Sequence, residues 1–144
     1  MKPQRSISFA VHSLDNMISR RLVAHGASVG IDNLTLMNGW IIGYLYDNQD
    51  RDIYQRDIET DFSIARSTVT GIIKLMEKKG YLIRESVPDD ARLKKLVLTP
   101  KGIDIHIKTL HDFDTVEAEL LQGITPEELD IFYEIIHKLK KNVE

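Results

Sequence analysis

The sequence predicts a mainly α protein of six helices and one β-hairpin. Three observations carry that expectation. Apolar residues recur at three- and four-residue steps near both ends of the chain. Between them, Tyr54 to Gly102 orders two short helices, a glycine stop, a strand, a charged turn, a second strand and a new helix. That order is the layout of a winged helix-turn-helix. Finally, 144 residues with 42% hydrophobic content suit one packed domain and argue against disorder.

The first helix rests on Ile7, Val11, Leu14, Ile18 and Leu22, which make one apolar face. Gly26 is its expected stop. Gly30 to Asn33 reads as a loop. Thr35 to Tyr46 reads as a second helix, apolar nearly all round through Leu36, Met37, Trp40, Ile41, Ile42, Tyr44 and Leu45. A helix of that kind is expected to be buried. A polar loop from Asp47 to Asp52 follows.

Gln55 to Phe62 is the third helix and Arg66 to Lys79 the fourth. Ile58, Phe62, Val69, Ile72, Ile73 and Met76 supply the apolar contact between them. Gly80 ends the pair in the left-handed conformation that glycine takes cheaply. Tyr81 to Val87 has strand propensity. Pro88-Asp89-Asp90 turns the chain, and Leu93 to Leu98 returns. Pro100 opens the fifth helix, which runs to about Leu121. Gln122-Gly123 breaks it. Thr125-Pro126-Glu127-Glu128 is an N-terminal signature: Thr125 caps, Pro126 fits the first helical position, and Glu128 closes a capping box. In the last helix Leu129, Phe132, Ile136, Leu139 and Val143 form a heptad-like seam that wants a helical partner.

The chain has no cysteine, which excludes disulfides, thiolate zinc sites and thiol redox sensing. There is no phosphate-binding glycine loop and no His-Glu-x-x-His, so no catalytic site is expected. Met1 to Arg5 lacks the apolar stretch of a signal peptide. No stretch approaches the ~20 apolar residues of a membrane span. A cytoplasmic protein is expected.

The net charge is -3, but it is unevenly spread. Residues 62–101 carry nine Lys/Arg against four Asp/Glu, whereas residues 102–144 carry four against ten. A basic middle between acidic ends suits a DNA-reading module on a scaffold that does not touch DNA.

Arg66, Ser67, Thr68 and Thr70 are the exposed N-terminal residues of the fourth helix, with Lys74 one turn beyond Thr70. Arg can bond guanine in bidentate fashion, and Ser or Thr can reach bases or phosphates. An ordinary helical hairpin with a polar surface is the competing reading, and the β-hairpin that follows weighs against it. In that hairpin Asp90 and Arg92 lie two apart and share a strand face. Asp90 is expected to brace the Arg92 guanidinium, aiming it into a narrow minor groove. Lys94 and Lys95 are expected to add phosphate contacts. The competing reading is a solvated charged turn.

With these residues in view, the chain resembles the MarR family of winged-helix regulators. The resemblance rests on the Gln-x-x-Ile helix at Gln55, Ser67-Thr68-Val69-Thr70, and Leu75 through Leu82. It also rests on Asp90-x-Arg92 and Leu98-Thr99-Pro100-Lys101-Gly102, and with the flanking helices it spans nearly the whole chain. The resemblance implies one domain over 1–144. Residues 34–100 would form the DNA-binding lobe, and 1–30 with 101–144 the dimerisation helices. It implies a homodimer on a pseudo-palindromic double-stranded operator, usually repressing and released by a small molecule. It implies no cofactor. Gly43 to Tyr46 is similar to the multidrug-efflux branch. Two positions depart from the pattern. Ala65 stands where many members have a capping Ser, passing that role to Ser63, and Glu59 stands where many have Ala.

In such proteins the effector lies between the dimerisation helices and the DNA-binding lobe. The corresponding residues here are Met37, Trp40, Ile41 and Tyr44 of the second helix, His12 of the first and His106 of the fifth. An aromatic and methionine lining suits planar, lipophilic ligands. Plain core packing is the competing reading for each residue. Some members sense zinc through two histidines four apart on the fifth helix. His106 and His111 are five apart, and the second helix supplies no His or Cys, so no metal site is expected. Two other functions remain open: a winged-helix protein–protein adaptor, and an effector-independent architectural DNA binder. The basic Arg66 and Arg92 weigh against the adaptor.

Overall fold

A computed structural model describes residues 5–27 and 36–144. The described elements run α1 (Ile7–Ala27), α2 (Leu36–Asp47), α3 (Gln55–Asp61), α4 (Arg66–Lys78), β1 (Leu82–Val87), β2 (Asp90–Leu98), α5 (Pro100–Leu120) and α6 (Pro126–Val143). The expected loop at Gly30–Asn33 and helix start at Thr35 lie outside the described residues. Gly26 lies within α1 instead of ending it.

The core sits in the helix-turn-helix and its wing. Ile41, Ile42 and Leu45 of α2 meet Ile58 of α3, Val69, Ile73 and Met76 of α4, and Leu82 and Leu96 of the strands. Each carries an apolar side chain at helical or strand spacing, so burial is the dominant stabilising term. Phe62 and Ile72 pack partly buried against this cluster. As its all-round apolar character requires, α2 is central; it touches both α5 and β2.

The wing is an antiparallel pair running from Leu82↔Leu98 to Val87↔Asp90, with a register shift between Ser86 and Val87. The second strand begins at Asp90, three residues earlier than the sequence predicts, because the turn closes over Pro88 and Asp89. Tyr54 bridges to Lys95, and the Leu96 N–H donates to the Ile53 carbonyl at 2.7 Å. The segment before α3 thereby adds a short third edge.

Local chemistry explains the helix boundaries. Gly80 and Gly123 have φ of 79° and 75°, as their stop positions require. Thr125 and Glu128 form the expected reciprocal capping box. At the start of α5 the Thr99 hydroxyl accepts the Gly102 N–H at 3.1 Å and donates to the Gly80 carbonyl. Lys101 Nζ donates to the Lys79 carbonyl at 2.8 Å. The Leu-Thr-Pro-Lys-Gly segment thus locks α5 onto the exit of α4.

The outer helices behave differently. α1 lies on α5, joined by a bidentate pair from Arg21 Nε and Nη2 to the two Glu119 oxygens, both 2.8 Å. Ile18 and Leu22 are half-buried there, while Ile7, Val11 and Leu14 face outward. α6 has no buried residue, and Ile131, Phe132 and Tyr133 are about half exposed.

Candidate nucleic-acid interface and the α2–α5 cleft

A cleft of ≈ 520 Å³ opens between the N-terminal ends of α3 and α4 and the wing. Its walls carry Arg56, Arg66, Arg84, Arg92 and Lys94 against one carboxylate, Glu59. The fold concentrates positive charge where a helix and a hairpin stand side by side. A polyanion with a groove fits that shape and sign. Ser67 and Thr68 are exposed on α4 beside Arg66, and Lys74 is exposed farther along the helix.

Hydrogen bonds set this surface. Thr70 Oγ1 donates to the Arg66 carbonyl at 2.9 Å and accepts from Gln55 Nε2 at 2.7 Å. Gln55 also reaches Glu59 Oε1 at 3.2 Å. Thr70 therefore ties α4 to α3 and is half-buried, which limits its reach toward a base. α4 starts at the N-cap Ala65 with no side-chain cap. Ser63 does not take the capping role: it occupies the turn with φ of 54°. The first N–H groups of α4 are left for an external acceptor.

At the wing Asp90 Oδ1 accepts the backbone N–H of Arg92 at 2.9 Å. The expected brace is on the main chain, not on the guanidinium. Two residues sharing a strand face stand close enough for this shorter bond, and it fixes the turn first. Lys94 faces the cleft and donates to Ser86 Oγ at 2.6 Å. Lys95 points to the other face, where it pairs with Asp52 at 3.5 Å. Strand alternation separates the two lysines.

A second cleft, ≈ 320 Å³, lies between α2 and α5. Trp40 and Tyr44 line it from α2; His106, Leu110 and Phe113 line it from α5. Asp47, Asp114 and Glu117 complete the rim, and among the described residues no Lys or Arg takes part. Trp40 is 47% exposed at this mouth. The His106 ring lies 4.4 Å from that of Tyr46. Burial and the bond to the Asp61 carboxylate hold the Tyr44 phenol above its ordinary pKa. The six residues expected at an effector site are not all brought together. Trp40, Tyr44 and His106 line the cleft; Ile41 is fully buried core, Met37 packs against that core, and His12 is exposed on α1.

Three comparisons bear on these surfaces. A sequence model of the MarR family matches residues 32–93, which covers the helix-turn-helix and most of the wing. The matched segment is of the MarR type. The uncharacterized HTH-type transcriptional regulator YybA of Bacillus subtilis (strain 168) is 25% identical over 130 residues, 89% of this chain and 85% of YybA. The crystal structure of the Staphylococcus aureus MepR–DNA complex superposes with a TM-score of 0.84 at 21% identity, covering 98% and 99% of the two chains. The heme sensor PefR from Streptococcus agalactiae, in complex with heme, has a TM-score of 0.66 at 26% identity, covering 98% and 93%.

The chain has the winged helix-turn-helix of MarR-type DNA-binding transcriptional regulators. Of the residues expected at a DNA surface, Arg66, Thr70, Arg92 and Lys94 share the basic cleft. Tyr54, Gln55, Arg56 and Arg84 line it too and were not among those expected. The Arg56 guanidinium lies over the Tyr54 ring, 5.2 Å from its centroid, and Arg84 pairs with Glu77 at 3.2 Å. The signal for Arg56 was its place in the first turn of α3, beside the start of α4. Among the described residues no helix is long and apolar enough to cross a membrane.

Proposed function

We propose that this chain is a homodimeric, cytoplasmic repressor that binds a pseudo-palindromic operator and releases it when a lipophilic small molecule enters the α2–α5 cleft. The observation that carries the DNA half is the basic cleft, where Arg66 of α4 and Arg92 and Lys94 of the wing stand on one face. Arg66, Ser67 and Thr68 read the major groove, Arg92 enters the minor groove, and Lys74 and Lys94 hold phosphates. Thr70 and Asp90 hold this surface in shape. Residues 34–100 form the DNA-reading lobe, and the helices on either side carry the dimer.

The effector half is supported by the cleft's aromatic walls and its three rim carboxylates, with no Lys or Arg in the lining among the described residues. That lining favours a planar, lipophilic cation, through stacking and charge. PefR is a related structure that holds heme, so this fold accommodates a planar ligand. The dimer is supported by the exposed apolar faces of α1 and α6.

The test is a binding-site selection with the purified full chain, followed by gel shift in the presence of planar cationic dyes. A palindromic consensus and dye-dependent release are expected. No sequence preference would favour an architectural binder, and no DNA binding an adaptor. Selective binding that no dye relieves would remove the effector half alone.

A further inference from the structure

The geometry points to Tyr44 as a positioning residue that couples the α2–α5 cleft to the turn of the helix-turn-helix. The inference rests on the reading that DNA binds through α4 and that the cleft takes the effector. Its basis is one side chain with two surroundings. Tyr44 is part of the cleft wall. Its hydroxyl donates to Asp61 Oδ2 and accepts from Arg51 Nη2 at 3.0 Å. Its ring edge also meets Phe62, with centroids 5.5 Å apart and planes at 77°.

Asp61 is the last residue of α3 and Phe62 is its C-cap. The next residue, Ser63, is the left-handed member of the turn, and α4 then starts without a side-chain cap. The turn is held by few local bonds: Ser63 N–H to the Thr60 carbonyl at 3.3 Å, and Ile64 N–H to the Glu59 carbonyl at 3.1 Å. Tyr44 adds a tie from α2 to this junction. A ligand stacked on the cleft side of the ring displaces the ring, and the hydroxyl can no longer hold Asp61. The turn that sets the angle of α4 then relaxes. Such coupling must run both ways. DNA that fixes α4 also fixes Asp61, Tyr44 and the cleft wall. Trp40, one helical turn before Tyr44 and on the same wall, senses the change.

The experiment needs no effector. Full-length wild type, Tyr44→Phe, Asp61→Asn and the double variant are titrated with the tightest duplex recovered by wild type in a binding-site selection. Affinity and Trp40 emission are recorded together. Tyr44→Phe keeps the ring and Asp61→Asn keeps the size, and circular dichroism verifies that both fold. Wild type is expected to change its Trp40 emission on binding. Each single variant should bind about 3–10-fold more weakly, the range expected for one lost hydrogen bond. Each should also lose the emission change. The double variant should bind no more weakly than the weaker single. Lys74→Ala should weaken binding yet keep the emission change at saturation.

A purely stabilising bond would leave the emission change intact in Tyr44→Phe, and that result overturns the inference. Additive losses in the double variant overturn it as well. A wild type that binds duplex tightly without any Trp40 response overturns the coupling while leaving the DNA-binding reading standing. A wild type that binds no duplex removes both.

Discussion

Asp90 holds Arg92 by its backbone: the carboxylate accepts the Arg92 N–H at 2.9 Å, across the turn that opens β2. Among the described residues no carboxylate pairs with the Arg92 guanidinium, which faces the basic cleft. The carboxylate shapes the tip, and the guanidinium keeps its charge for an anion. Arg92→Ala should weaken operator binding by about 1–3 kcal/mol. Asp90→Asn retains an acceptor oxygen and should bind nearly as wild type, whereas Asp90→Ala should lose part of what Arg92→Ala loses. Fluorescence anisotropy at physiological salt measures all three. An Asp90→Asn defect as large as that of Arg92→Ala would restore the guanidinium brace.

On the proposed function, α4 separates base reading from phosphate holding. Arg66 is exposed in its first turn and lines the cleft, while Lys74 is exposed two turns on and outside it. Arg66→Ala should relax preference at one base position, and Lys74→Ala should weaken all sequences evenly. Thr70→Val removes the acceptor of the Gln55 bond and should loosen α4 on α3, lowering affinity without changing the consensus. Selection profiles of the three variants decide the matter. Identical profiles for wild type and Arg66→Ala would make Arg66 a phosphate contact.

Gly102 is required by a close approach. A Cβ at this position would overlap the Tyr81 carbonyl oxygen, which also accepts the Thr99 N–H at 3.1 Å. Backbone cannot yield as a side-chain tip can. Gly102→Ala should therefore destabilise the fold by about 2–4 kcal/mol. Urea unfolding monitored by circular dichroism measures it. A midpoint equal to wild type would mean that α5 can shift on the wing without penalty.

The sequence made most of this fold legible because its signals were local. Gly80, Gly123 and the Thr125–Glu128 box each act within a few residues, and each is where its pattern puts it. Arg66 and Arg92 were legible because the order of elements alone brings a helix start and a hairpin together. What stayed hidden depends on contacts distant in the chain or on turn geometry. Arg56 joins the cleft only because α3 lies against α4. Gly102 matters only because Tyr81 comes close, twenty-one residues earlier. Lys95 lies on the face opposite the basic cleft because β2 alternates. Ile41 and Trp40 have equal claims as pocket residues in the sequence; the fold buries the first completely and opens the second to the cleft.

The exposed apolar faces predict assembly. Ile7, Val11 and Leu14 of α1 and Ile131, Phe132 and Ile135 of α6 are 45% to 60% exposed in the single chain. Faces of this kind mark an interface, and one built from two helices is large and hydrophobic. Sedimentation at micromolar concentration should show a dimer. Phe132→Glu should shift it toward monomer and reduce operator affinity, because two half-sites about one helical turn apart (~34 Å) are no longer bound together. A wild type that sediments only as monomer would end the proposal.

The Arg21–Glu119 pair predicts a pH dependence for the clamp between α1 and α5. The hydrogen bond from Arg21, then its charge and that of His25, hold the Glu119 carboxyl below its ordinary value of 4.5. His25 Nε2 lies 3.9 Å from the same carboxylate. A carboxylate with a lowered folded-state pKa binds fewer protons folded than unfolded. Its stabilisation is present above the ordinary value and is lost as pH falls through the lowered one. The pair is exposed, so the effect is small and screened by salt. Arg21→Ala and Glu119→Gln should unfold at a lower urea concentration than wild type at pH 7 and low salt. That gap should close as the pH falls below the ordinary carboxylate range and as salt is raised at neutral pH. A gap that persists unchanged at pH 3 would show that Arg21 acts through packing of its stem on α5 and not through its charge.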